Sequence, residues 1–206
     1  MDLINYLNHH FLTEAQLLEA SAIDATALAA FQARGVMPLP AYRLRLEMAC
    51  DSFFGAHAGQ ASVDYYARGY PAWIGLLQSG ADARAAFTQR YRARLDGAAI
   101  RSAHPKLNED LDAHLAGEWA HFLNGTYGLC TRSGLPEQIA EKELATMVIQ
   151  QLISSERALT DAETACLSQA VEMLDRASAL FAPHERSRSS RHRLVDEVRK
   201  RYLGQA

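Results

Sequence analysis

Apolar residues recur at helical spacing along most of this chain, and the polar positions between them carry start and stop signals. The clearest stretch runs from Asp82 to Arg101, where Phe87, Tyr91 and Leu95 fall at i, i+4 and i+8. Further helices are predicted from Pro105 to about Asn124 and from Pro136 to about Ser155, the latter with its proline in the first turn. Thr160-Asp-Ala-Glu163 reads as a capping box, opening a helix that ends near Pro183, and a last helix spans Ser187 to Leu203. Near the N-terminus, Thr13-Glu-Ala-Gln16 opens a short helix ending near Ser21. Asp24 caps a second one that stops at Gly35.

The pattern breaks in the first half of the chain. Val36 to Leu44 is interrupted by prolines and reads as extended, with room for a small hairpin or wing. Leu44 to Phe54 suits a strand or a helix, and a helix is expected. Gly55 to Gly80 is aromatic and punctuated by glycines. The predicted fold is mainly α, with a small winged-helix-like head over residues 1–45 packed on a larger helical bundle over residues 46–206.

Composition narrows the class. The 206 residues are 49% apolar, which supports an ample core. A net charge of -3 provides no global field for nucleic acid. No run approaches the length of a membrane span, and the first residues lack a secretory pattern. Cys50, Cys130 and Cys166 are an odd set without paired spacing. Together these features lead to an expectation of a cytoplasmic protein.

Candidate chemistry concentrates between Asn124 and Glu137, a run with three glycines and many side-chain donors. Arg132, with Tyr127, Thr126 and Thr131, suits a carboxylate or phosphate, because a guanidinium offers a two-pronged donor. The start of the following helix would add its positive dipole end. The aromatic middle, with Tyr66 and Trp73, is expected to line the same ligand site. Cys130 near Arg132, with His121 on the preceding helix, is the candidate nucleophile and base. His114, Glu118 and His121 share one helical stripe at i, i+4 and i+7, a candidate metal set that Glu137 and Glu141 would complete.

Two resemblances add to this. Phe11-Leu-Thr-Glu-Ala-Gln-Leu-Leu, Ile23-Asp-Ala-Thr-Ala-Leu and Arg34-Gly-Val-Met-Pro resemble the DNA-binding head of the MerR regulators. That resemblance implies a supporting helix, a reading helix and a wing. Residues 1–45 carry three arginines against four carboxylates, so DNA is not the expected partner. The whole chain also resembles a group of bacterial natural-product biosynthesis proteins, through Cys50-Asp-Ser-Phe-Phe-Gly, Val63-Asp-Tyr-Tyr-Ala-Arg-Gly-Tyr and Gly125-Thr-Tyr-Gly-Leu-Cys-Thr-Arg. It implies a role in a biosynthetic pathway; taken with the Asn124–Glu137 loop, the expectation is a pathway protein that binds a small, anionic metabolite or a partner enzyme. The alternative is a MerR-like regulator whose helical body senses a small molecule.

Overall fold

The chain opens with a helix, α1 (Asp2–His10), that turns directly into a short strand, β1 (Phe11–Thr13). The structure, a computed structural model, describes residues 2–154 and 157–204. Thr13 then caps α2 (Glu14–Ser21) as predicted: its hydroxyl accepts from Gln16 N at 3.3 Å, and its own N–H donates to the Gln16 side chain at 2.9 Å. Asp24 caps α3 (Ala25–Ala33), accepting from Ala27 N at 2.7 Å.

The next stretch departs from expectation. Residues 44–54 are not helical. They belong to β2 (Tyr42–Ser52), which turns through Phe53–Phe54 into β3 (Gly55–Ala67). The reason is the period: Leu44, Leu46 and Met48 alternate with Arg43, Arg45 and Glu47, which suits a pleated strand with one apolar face. The sheet is antiparallel in the order β1-β3-β2, and β1 meets β3 only from Phe11↔Ala67 to Thr13↔Tyr65. A boundary at residue 45 therefore cuts through β2, and the sheet-bearing N-terminal part extends to Ala67.

The rest is helical. α4 (Tyr70–Gln78) leads to α5 (Ala83–Asp96), which Asp82 caps at 2.9 Å. α5 ends short of Arg101, whose guanidinium turns back onto the carbonyls of Asp96, Ala98 and Ile100. Pro105–Leu107 forms only a 3-10 turn before α6 (Leu111–Leu123). Then come α7 (Thr126–Cys130), α8 (Pro136–Ile153) and α9 (Asp161–Ala177). The end of α8 predicted near Ser155 lies outside the described residues. The capping box at Thr160 forms, with Thr160 N donating to Glu163 at 2.9 Å. α10 (Pro183–Arg186) and a π-helical turn over His192–Asp196 precede α11 (Glu197–Tyr202). Eleven α-helices against one small sheet make the described residues mainly α.

Aromatic rings hold the centre. The Phe122 ring lies 4.9 Å from Trp73 and 5.1 Å from Phe87, and Trp73 Nε1 donates to Val36 O at 2.9 Å. Leu17, Leu28, Met37 and Tyr66 from the N-terminal part join the same core. Tyr66 and Trp73 are thus core residues, 2% and 0% exposed, packed among the protein's own side chains. A second core joins α8 and α9 to Leu194, Val195 and Val198.

The basic C-terminal stretch is only partly a solvated face. Arg191 and Arg199 turn onto Asp175, the latter at 2.7 Å, and Arg132 approaches it at 3.8 Å. Burial alone would raise the Asp175 pKa, but the hydrogen bonds from Arg191 and Arg199 outweigh it and hold the carboxyl below its ordinary value. Asp175→Asn leaves these arginines facing one another and should cost about 2–3 kcal/mol. Because the folded pKa is depressed, wild type gains its advantage above the ordinary carboxylate range and loses it as the pH falls through the folded pKa. Urea unfolding of both proteins at pH 7 and pH 3 checks this. Equal stability at pH 7 would show that the arginines are satisfied without Asp175.

Candidate functional site

The Asn124–Glu137 run is folded tightly onto its own neighbours. Gly134 has φ +74°, and a Cβ there would meet Tyr70 Cε1 at 2.6 Å. At Gly125, φ is +85° and a Cβ would meet Pro40 O at 2.8 Å. The glycines admit the protein's own rings and backbone, where the sequence suggested a ligand. Thr131 donates to Tyr127 O at 2.7 Å and accepts from Gly134 N at 2.9 Å, so its hydroxyl is engaged internally. Thr126 is exposed and bonded to Asn124 at 2.6 Å. Tyr127 is 4% exposed and donates inward to Glu118.

Arg132 remains at the surface, and the structure gives it new company. Its Nε donates to Ser178 O at 3.3 Å and one Nη to Asp175 O at 3.2 Å; the other Nη has no partner among the described residues. It lines a cavity of about 200 Å³ together with Arg68, His9, His10 and Tyr6. Arg68 holds the end of α1 through His9 O at 2.7 Å. Among the described residues, no carboxylate lines this cavity. The His10 pKa is lowered, first by burial and then by His9, Arg68 and Arg132, so the imidazole reports a positive local field. The start of α8 does not contribute to the lining. A comparable cavity beside α5 is less suited to a ligand charge, since Arg92 already pairs with Asp112 and Arg101 with carbonyls.

A second cluster lies inside the bundle. His114 and Glu118 face inward from α6, 3.7 Å apart, and α8 adds Glu143. One ligand atom from each lies within 4.8 Å of the others, so among the described residues these three have the spacing of a cation-ligand set. His121 is exposed at the last turn of α6, its ring 6.4 Å from that of Tyr127, and does not join them. Glu137 and Glu141 are taken by Arg90, at 2.6 Å, and by Arg94. Lys142 Nζ already sits 3.6 Å from Glu143. Burial first, and then the charge of Glu143, push the Glu118 pKa up to about 8, while burial lowers that of His114. At neutral pH the pair is therefore a carboxylic acid beside a neutral imidazole. Cys130 is unlike an activated nucleophile, because burial raises its pKa and Arg132 turns away toward Asp175.

A model of a family of unknown function, DUF6058, matches residues 83–203, more than half of the chain. The chain belongs to the DUF6058 family. No curated protein and no solved structure matches it. The DUF6058 match begins at the first residue of α5, so His114, Glu118, Arg132 and Glu143 fall inside it. His9, His10, Arg68 and the sheet fall outside. Sequence reasoning missed α1, although Leu3, Tyr6 and Leu7 at i, i+3 and i+4 mark its apolar side. With α1 in hand, the histidines at its end would have been candidates.

Proposed function

We propose that this DUF6058 protein binds a small anionic metabolite in the cavity between the end of α1, the end of β3 and Arg132. The observation that carries this reading is the convergence of Arg68, Arg132, His9 and His10 on one cavity that no carboxylate among the described residues lines. Arginine offers paired donors to a carboxylate or phosphate, and each charge-assisted bond contributes about 1.5–3 kcal/mol. A role in natural-product biosynthesis rests on the sequence resemblance alone and belongs to the same proposal. Inorganic phosphate and malonate, tested as probes, should raise the melting temperature more than chloride does at equal ionic strength. Arg132→Ala should weaken their binding roughly ten- to a hundredfold. If both probes act no better than chloride, the cavity is not an anion site.

A second reading draws on the N-terminal part. Its support is the element order β1, α2, α3, β2, β3, which a winged helix-turn-helix head of a MerR-like regulator would also have. Charge and surface weigh against DNA as its target. Residues 1–67 hold three arginines and seven carboxylates, a balance of -4. The exposed side of α3 is Ala25, Thr26, Ala29, Ala30 and Ala33, nearly without base-reading groups. In anisotropy titrations at physiological salt, the protein should show no sequence-specific binding to its own upstream DNA. Nanomolar binding would promote the regulator reading over the first.

A further inference from the structure

Beyond Asp64, the β2–β3 hairpin is a two-stranded ribbon with both edges open, since β1 reaches only to Tyr65. Such a ribbon is marginal by itself in water. Its register determines what the free edge of β2 offers. The turn has two residues, so Ser52 and Gly55 form the first hydrogen-bonded pair and the ladder alternates from there. Even-numbered residues of β2 direct their N–H and C=O to β3; Arg43, Arg45, Glu47 and Ala49 direct theirs to the open edge. The ladder's far end agrees, for Tyr65, paired with Tyr42, accepts from Ala41 N as well, at 2.8 Å.

The side chains sort the same way. Leu44, Leu46 and Met48 share one face with Val63 and Ala61, and α1 covers only the base of it. Met48 is 48% exposed and Phe53 at the tip 97%. Arg43 is already paired with Asp64 across the ribbon at 2.8 Å, whereas Arg45 and Glu47 face Ser62 and Gln60 and have no ion-pair partner among the described residues.

We propose that the open edge of β2 pairs with β2 of a second copy, antiparallel about a two-fold axis at Leu46, to form a continuous six-stranded sheet in the order β1-β3-β2-β2-β3-β1. Charge complementarity selects this register. It places Arg45 opposite Glu47 of the second copy and Glu47 opposite its Arg45, in outward-directed pairs that exchange backbone hydrogen bonds. Leu46 then meets Leu46 of the second copy, and Leu44 meets Met48, extending one apolar face through both ribbons. Centring the axis one residue earlier sets arginine against arginine, and one later sets glutamate against glutamate. The arrangement is isologous and closes at two copies.

Sedimentation equilibrium on the full chain tests it. Wild type should be a dimer. Arg45→Glu and Glu47→Arg should each weaken dimerisation roughly tenfold or more, since each sets two like-charge pairs in register. The double variant R45E/E47R restores both pairs and should dimerise as wild type does. An equimolar mixture of the two single variants should form a heterodimer stronger than either homodimer. A monomeric wild type overturns the proposal, as does a dimer that both single variants leave intact. Circular dichroism keeps the reading clear of misfolding, because neither side chain is buried.

Discussion

Glu118→Gln should leave the protein's stability nearly unchanged at pH 5 and raise it strongly at pH 9. The folded pKa of Glu118, about 8, lies above its ordinary value of 4.5. A group with a raised folded pKa contributes stability that is fully present below the unfolded pKa and is lost as pH rises through the folded one. Wild type therefore loses stability between about pH 4.5 and pH 8, by on the order of 4 kcal/mol. Glutamine keeps a carbonyl to accept from Tyr127 and never ionises, so the variant is spared that loss. The gap at pH 9 corresponds to roughly 10 °C in melting temperature for a chain of this size. Measuring both proteins in buffer with a chelator removes any contribution from bound cations. Parallel pH profiles would mean that water or a rearrangement of Lys142 already solvates the carboxylate.

Gly134→Ala is the second large effect. The backbone there lies at φ +74°, which costs a residue with a side chain about 1–2 kcal/mol. The added methyl would also meet the Tyr70 ring at 2.6 Å and Ala67 Cβ at 2.8 Å, groups fixed in the core, for a further ~1–3 kcal/mol. Gly80 separates the two contributions. It has φ +77° with open space around it, so Gly80→Ala should show the backbone cost alone. Urea midpoints should rank wild type above Gly80→Ala and Gly80→Ala above Gly134→Ala. Anion binding should weaken in the last, because Arg132 is placed by the same turn. Equal losses in the two variants would mean that the turn relaxes away from Tyr70.

Helix starts were the most legible part of this chain. Thr13, Asp24 and Thr160 each cap the helix that their spacing predicts, because a cap depends on residues three or four apart. The hairpin was harder to read. β3 contains Gly55, Gly59 and several alanines, which carry little strand preference, and its partner strand supplies the ladder bonds instead. The site was legible one residue at a time. Arg132 stands out in sequence, but Arg68 and the histidines of α1 reach it only through the tertiary fold. His114, Glu118 and His121 do share a helical stripe, yet periodicity says nothing of what covers each turn. Glu143 on α8 meets the middle of α6, and His121, one turn further on, is left in solvent.

In the proposed site, Arg68 and Arg132 hold one anion together with the α1 histidines. Isothermal titration of sulfate, a dianion at both pH 6 and pH 8, into wild type and the double variant R68A/R132A at those two pH values tests this site. Neighbouring arginines help to depress the His10 pKa, and a bound anion would oppose them, so binding should take up protons and tighten toward pH 6. Wild type should show one saturable site, stronger at pH 6, which the double variant loses. Binding of equal strength in the two proteins, or none in wild type at either pH, would contradict it.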